Sequence, residues 1–189
     1  MRKTTLIIGG ARSGKSHYAM ELARKASGPV LFVATAEALD EEMRQRIEEH
    51  KRTRPTAWRT LEVPTHVGDG VRQEIGDAQV VIIDCITLLV NNILSQHYPP
   101  DSRQKETDTI EQAVADEISA LIECFHKVEA RFIVVSNDVG SGIVPADGMS
   151  RLYRDLLGKA NQMLAQRADE VIMMVAGIPL PLKSDDSGR

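Results

Sequence analysis

Three features of this chain predict an α/β fold, with a mostly parallel sheet flanked by helices on both faces. Apolar runs rich in β-branched residues recur at 6–8, 30–33, 80–83, 132–135 and 171–175. Amphipathic stretches alternate with them at 16–26, 40–52, 88–96, 109–127 and 150–167. A glycine-rich segment, Gly9-Gly10-Ala11-Arg12-Ser13-Gly14-Lys15-Ser16, joins the first run to the first amphipathic stretch. Runs that are apolar at nearly every position suit strands covered on both faces. Strand–helix alternation argues for parallel pairing. Ligands of such sheets bind beyond the carboxyl ends of the strands, so the functional residues are sought just after each strand.

The first strand starts near Thr4 and feeds directly into the glycine-rich segment. That segment satisfies G-x-x-x-x-G-K-[ST], and Tyr18, Ala19, Leu22, Ala23 and Ala26 supply the helical pattern behind it. Strand, loop and helix in that order define a phosphate-binding loop and make the sheet one of P-loop NTPase type. Backbone N–H groups of 9–16 and the helix N-terminus form an anion site for a nucleoside triphosphate. Lys15 would reach the β- and γ-phosphates, and Ser16 would ligate Mg²⁺.

The second strand, 30–33, leads to the amphipathic stretch at 40–52. There Leu39, Met43, Ile47 and His50 share one helical face, while Glu42 with Arg46 and Glu48 with Arg52 are i,i+4 pairs on others. His50 thus ends the inward face, just before Lys51, Arg52 and Arg54. On spacing alone a satisfied core histidine is the simpler reading, although the adjacent cations would attract phosphates.

The third strand ends in Asp84, where a P-loop protein keeps the acid that helps hold Mg²⁺. A helix N-cap is the structural alternative for Asp84, and Thr87 is a second candidate cap. Residues 97–107, with Pro99 and Pro100, read as a flexible excursion. The strand at 132–135 opens into Ser136-Asn137-Asp138-Val139-Gly140-Ser141-Gly142-Ile143-Val144-Pro145, a shaped loop at the sheet's carboxyl edge. Arg151, Arg154 and Asp155 follow on the next helix. Arg154 could clamp phosphate or pair with Asp155 or Glu170. His17, His66, His97 and His126 read as surface or capping residues, and Trp58 as packing.

At 189 residues the chain suits one domain, 1–183, with a polar disordered tail at 184–189. A net charge of −4 gives no electrostatic reason to expect nucleic acid. No apolar run approaches a membrane span. Cys85 and Cys124 lack metal-ligand spacing and read as buried free thiols of a reducing compartment. With no signal-peptide pattern at the N-terminus, a cytoplasmic protein is expected.

Taken in order, these motifs resemble the bifunctional adenosylcobinamide kinase / adenosylcobinamide-phosphate guanylyltransferase family of cobalamin biosynthesis, over about residues 6 to 183. Besides the P-loop, the resemblance rests on Ala-Thr-Ala (34–36), Asp-Glu-Glu-Met (40–43), Arg-Ile-Glu-Glu-His-Lys (46–51), Arg-Pro (54–55) and Trp-Arg-Thr-Leu-Glu (58–62). It continues through Asp-Cys-Ile-Thr (84–87), Asn91, the loop at 136–145, Tyr-Arg-Asp (153–155) and Asn-Gln (161–162). The P-loop is generic; the stretch carrying His50 and the Val-Gly-x-Gly-Ile-Val-Pro loop are specific. Family members usually carry Glu where this chain has Asp138, and Ala146-Asp147-Gly148-Met149 is an unusual continuation.

The resemblance implies two reactions. ATP or GTP phosphorylates the aminopropanol hydroxyl of adenosylcobinamide. GMP then passes from GTP to adenosylcobinamide phosphate, releasing pyrophosphate, through a guanylylated histidine that the resemblance places at His50. It also places Ala34, Thr35, Ala36, Lys51, Arg52, Thr53, Arg54, Glu62 and Asp84 around the nucleotide, with Glu62 toward guanine or ribose. A homo-oligomer, trimeric by the family's example, is implied as well. Two alternatives stand beside this reading. One is a P-loop small-molecule kinase with a structural His50. The other is a GTP-binding regulatory protein, against which the chain lacks a guanine-reading Asn-Lys-x-Asp motif.

Overall fold

The computed structural model describes residues 2–38, 41–97 and 107–184. Leu39 and Asp40 of the predicted inward face, the Pro99-Pro100 excursion and most of the expected tail lie outside them. In chain order the elements are β1 (Lys3–Gly9), α1 (Lys15–Lys25), β2 (Val30–Ala34), α2 (Glu41–Thr53), β3 (Arg59–Glu62), α3 (Val67–Glu74) and β4 (Val80–Asp84). They continue with α4 (Ile86–His97), α5 (Thr107–Lys127), β5 (Arg131–Val135), α6 (Gly148–Arg167), β6 (Glu170–Val175) and β7 (Ile178–Lys183). The strands form one seven-stranded sheet in the order β3-β2-β4-β5-β1-β6-β7. All neighbours pair in parallel except β6 and β7. The strand bearing the P-loop therefore sits inside the sheet, with β5 between it and the strand that ends in Asp84.

Alternation along each strand divides the core between the two faces. Leu6, Val81, Ile83, Phe132 and Val134 pack under α3, α4, α5 and α6. Ile7, Phe32, Ile82 and Ile133 face the other way, onto Ala19 and Ala23 of α1. Both faces are covered, which is why these strands read as unbroken apolar runs.

Three elements go beyond the sequence expectation. Strand β3 is short and mostly exposed, with only Leu61 turned to the core. Helix α3 holds Gly68 and Gly70, residues that weaken a helix. Gly68 is nevertheless required, because a Cβ there would stand 2.8 Å from the Ala120 carbonyl oxygen on α5. Strand β7 contains Pro179 and Pro181, which is tolerated because it pairs only with β6 at the sheet edge.

Helix α3 begins at a junction that no local pattern reveals. His66 adopts a left-handed conformation, φ 56°, and its side chain does not cap the helix. The cap comes from α5 instead: the buried Glu117 carboxylate accepts from the N–H groups of His66 and Val67, both at 2.8 Å. Replacing Glu117 with Ala leaves those donors unsatisfied, at a cost of about 1–3 kcal/mol. At roughly 2–4 °C per kcal/mol for a chain of this size, calorimetry should record a clear fall in the unfolding midpoint. An unchanged midpoint would refute the cap.

Candidate active site

The P-loop leaves β1 at Gly9, whose φ is 151°. A Cβ there would stand 2.5 Å from the Met174 carbonyl oxygen on β6. Arg12 (φ 56°) and Gly14 (φ 95°) also lie in the left-handed region, and Gly14 forms the N-cap of α1. Gly10, Ala11 and Arg12 are exposed, whereas Ser13 and Lys15 are buried. Lys15 folds back so that Nζ donates to the Gly10 carbonyl at 2.5 Å and to Ser13 Oγ at 3.4 Å. Burial pushes the Lys15 ammonium below its ordinary pKa, against the pull of Asp84.

Asp84 ends β4 facing this loop. Ser16, His50, Arg54 and Lys15 favour its ionised form, but burial dominates and raises its pKa. The N-cap alternative for Asp84 is thus replaced by a partner on the P-loop. Two oxygen donors, the Ser16 hydroxyl and the Asp84 carboxylate, are in place to hold a divalent cation. Thr87 does not cap its own helix, since its Oγ1 accepts from Asn137 N at 2.8 Å.

Beside Asp84, Ala34 ends β2 and Thr35 and Ala36 follow it. Thr35 is wholly buried; its Oγ1 donates to the Cys85 carbonyl at 2.7 Å and accepts from Cys85 N at 2.9 Å. Asn92 Nδ2 donates to the carbonyls of Thr35 at 2.8 Å and Pro64 at 3.0 Å. The ends of β2, β3 and β4 are thereby tied together around Asp84. The thiol of Cys85 is pushed up to about 12 and that of Cys124 to about 11, both chiefly by burial, and both cysteines are free.

Helix α2 brings the basic cluster to the same edge, though not as a core element. Met43 and Ile47 are partly buried and His50 is exposed. The core-histidine reading therefore does not hold. The physical reason is that α2 is fastened at its C-terminal end rather than laid across the sheet. Arg24 reaches the Thr53 carbonyl at 3.4 Å, Lys51 pairs with Glu62 at 2.8 Å, and the Arg54 guanidinium lies 3.7 Å above the Phe32 ring. Thr53 Oγ1 donates to the His50 carbonyl at 2.9 Å, closing the last turn. Arg52 is exposed.

Arg54 Nε and Nη1 are buried without a hydrogen-bond partner. Burial lowers the guanidinium's pKa while Asp84 and Glu62 oppose the shift. Two desolvated cationic donors without acceptors are costly in a free protein and suited to an anionic ligand. Beside them lies a cleft of about 270 Å³ lined by Lys51, Arg54, Pro55, Thr56, Trp58, Thr60 and Glu62. Trp58 packs against the core, as expected, and also forms part of this wall.

The loop after β5 completes the edge. Asp138 N donates to the Gly9 carbonyl at 3.0 Å, joining the loop to the P-loop. Asp138 turns its carboxylate inward: Oδ1 accepts from Gly140 N at 3.0 Å and Oδ2 from Ser141 Oγ at 2.7 Å. At this side-chain length the acid shapes its own loop. Asn161 on α6 accepts from Ser136 Oγ at 2.6 Å and donates to the Asn137 carbonyl at 3.0 Å, while Tyr153 donates to the Thr87 carbonyl at 3.2 Å. Arg154 pairs with Asp155 at 3.0 Å, and Glu170 pairs with Lys3 at 2.9 Å. Asp147 caps α6 by accepting from Ser150 N at 2.8 Å, and Arg151 holds the carbonyls of Pro145 and Ala146. Asn92, Asn161, Tyr153 and Glu117 are supports that spacing could not reveal, since each acts across a long stretch of sequence.

Comparison with known proteins agrees with this arrangement. A family model described as cobinamide kinase / cobinamide phosphate guanyltransferase matches residues 5–182. The bifunctional adenosylcobalamin biosynthesis protein CobU of Escherichia coli (strain K12) is 41% identical over 180 residues, covering 94% of this chain and 98% of that protein. The bifunctional adenosylcobalamin biosynthesis protein CobP of Pseudomonas aeruginosa is 41% identical over 180 residues, covering 95% and 97%. Among solved structures, a Pyrococcus horikoshii OT3 protein has a TM-score of 0.54 at 10% identity, covering 98% of this chain and 88% of its own. A type III secretion system ATPase has a TM-score of 0.53 at 12% identity, covering 98% of this chain and 57% of its own. These two share the fold alone. The near full-length relatives and the match over 5–182 decide the matter: the chain belongs to the cobinamide kinase / cobinamide phosphate guanyltransferase family.

Proposed function

We propose that both reactions of the family, kinase and guanylyltransferase, run at one triphosphate site between the P-loop and the C-terminal end of α2. One observation carries this reading: Arg54, just past the C-terminal end of α2, keeps two buried nitrogens without partners, and it acts with His50 of α2 and with Lys15 and Ser16 of the P-loop on the same Asp84 carboxylate. Groups suited to the γ end of a triphosphate and groups suited to its α end thus surround one carboxylate.

In the kinase reaction the aminopropanol hydroxyl of adenosylcobinamide attacks the γ-phosphorus of ATP or GTP. An O–P bond forms, the bond to the β,γ-bridging oxygen breaks, and the nucleoside diphosphate leaves with the electron pair. The hydroxyl proton passes to solvent. Lys15 and the loop amides stabilise charge on the moving phosphoryl group and the leaving group. Ser16 and Asp84 fit Mg²⁺, since two protein oxygens leave the rest of an octahedral shell to phosphate oxygens and water. Such an ion neutralises charge on the phosphate oxygens when bound.

In the transferase reaction a neutral ring nitrogen of His50 attacks the α-phosphorus of GTP. A P–N bond forms, the bond to pyrophosphate breaks, and the other ring nitrogen gives up its proton. A phosphate oxygen of adenosylcobinamide phosphate then attacks the same phosphorus, the P–N electron pair returns to the ring, and the ring takes back a proton from solvent. Covalent catalysis divides one displacement into two easier ones. The unpartnered Arg54 nitrogens, with Lys51, Arg52 and Thr53, receive the phosphates, and Glu62 faces guanine or ribose from the adjoining cleft. Exposure of His50 suits this role, because a nucleophile must reach both a nucleotide and a bulky acceptor.

The test is direct. GTP labelled at the α-phosphorus should leave an acid-labile, alkali-stable label on the protein, and γ-labelled nucleotide should phosphorylate cobinamide. Absence of protein label with an intact kinase would leave a simple kinase. We place the enzyme in the cytoplasm, as its free thiols suit, and as a homo-oligomer of trimeric form. Ile178, Leu180 and Leu182 on edge strand β7, all exposed, support burial against another copy. Light scattering should give about three times the chain mass; a monomer would refute this.

A further inference from the structure

The P-loop is held from outside by the turn between the last two strands. Strands β6 and β7 are joined by Ala176 and Gly177, both with positive φ, 51° and 83°. Two consecutive left-handed residues define the tight turn whose twist suits a hairpin. Gly177 N donates to the Ser13 carbonyl at 3.0 Å. The Gly177 Cα also lies 3.3 Å from where a Cβ on Gly14 would stand. The hairpin turn is thus packed against the two residues that precede Lys15.

We propose that Gly177 is a positioning residue for triphosphate binding, acting through the Ser13–Gly14 peptide. In a trans peptide the C=O and the following N–H point in opposite directions across one rigid plane. A partner that holds the Ser13 carbonyl on the hairpin side therefore aims the Gly14 N–H to the opposite side, into the loop's concave face. A P-loop works by converging such N–H groups on phosphate oxygens. Without the hairpin this peptide could rotate and turn its carbonyl oxygen toward the anion. Rotation is also opposed by burial of Ser13, whose Oγ accepts from Lys15. This rests on the reading of 9–16 as the phosphate site.

The geometry offers a clean perturbation. A Cβ at Gly177 would meet nothing within 4 Å, so substitution there acts through backbone conformation alone. Asn tolerates a left-handed φ, Ala less so, and a β-branched residue least. Calorimetric titration of Gly177→Asn, Gly177→Ala and Gly177→Val should use two probes, a non-hydrolysable GTP analogue and GMP, with an unfolding midpoint for each variant. Affinity for the analogue should fall in that order, to about tenfold weaker in Gly177→Val, while Gly177→Asn stays within about threefold of the parent. GMP affinity should stay within about twofold throughout, because GMP lacks the phosphates that the loop holds.

Equal weakening of both probes, or analogue affinity that follows the unfolding midpoint rather than the order Asn, Ala, Val, would overturn the proposal in favour of a merely structural turn. A flat series with a tight-binding parent would overturn it outright. Should Gly177→Val fail to fold, the comparison of Ala with Asn decides. A parent that binds the analogue no better than GMP would instead bring down the phosphate-loop reading itself, and this proposal with it.

Discussion

His50→Ala is expected to abolish guanylyl transfer and leave cobinamide phosphorylation within about tenfold of the parent. Removing a covalent nucleophile costs roughly 10⁴–10⁶-fold in the step it performs. The kinase step has no use for a nitrogen nucleophile, so the two activities should separate. The variant should also fold normally. His50 is exposed, and its backbone carbonyl, which closes the last turn of α2 with Thr53, is untouched by the substitution. The substitution leaves Ser16, Arg54 and Lys15 in place around the Asp84 carboxylate. Three readouts on one preparation suffice: label retained from α-labelled GTP, pyrophosphate release, and phosphorylated cobinamide. Loss of label with normal kinase turnover confirms the assignment. Full labelling of His50→Ala would move the nucleophile elsewhere, and joint loss of both activities would recast His50 as part of the general phosphate site.

The readable parts of this protein were those fixed by short stretches of sequence. The P-loop announced itself because strand, glycine-rich turn, Lys15 and Ser16 are contiguous. The central strands were legible because both of their faces are buried, and Asp84 because it ends one of them. Non-local causes stayed hidden. Periodicity placed His50 on an inward face, yet α2 is anchored by Arg54 stacked on Phe32 and by Lys51 paired with Glu62, contacts that reach across to β2 and β3. Strand β7 carries Pro179 and Pro181, which a central strand would exclude and its edge position tolerates. Helix α3 carries two glycines, and close approach of α5 demands one of them. Asp138 stands where the family usually has Glu, and its carboxylate is engaged with Gly140 and Ser141. For His50, the β7 prolines and the α3 glycines, the residue type was legible and the packing partner on another element was not.

Lys15→Met separates catalysis from stability in the opposite sense to most active-site changes. Both reactions should fall by at least about 10²–10³-fold, the cost of removing one preorganised donor from a developing anion. Both should fall together because, in the proposed function, the γ-phosphoryl group of one reaction and the departing pyrophosphate of the other are held by the same loop. Stability should not fall with them. Lys15 is only 7% exposed, and burial depresses its pKa despite the nearby Asp84. A lysine whose folded pKa lies below its unfolded one binds fewer protons in the folded chain between those two values. Unfolding then takes up protons, and stability rises with pH across that window; below the folded pKa the penalty of burying the charge is present in full. Methionine keeps the apolar stem and removes the charge, and the Gly10 carbonyl retains its bond from Ser13 N at 3.3 Å. Denaturant titrations should therefore find Lys15→Met at least as stable as the parent at pH 7. Its advantage should shrink as the pH rises toward the ordinary lysine range. A variant less stable than the parent at pH 7 would mean that the Lys15 bond to Gly10 outweighs the cost of desolvating the ammonium. Surviving guanylyl transfer with a lost kinase would mean that pyrophosphate departs without the help of this loop.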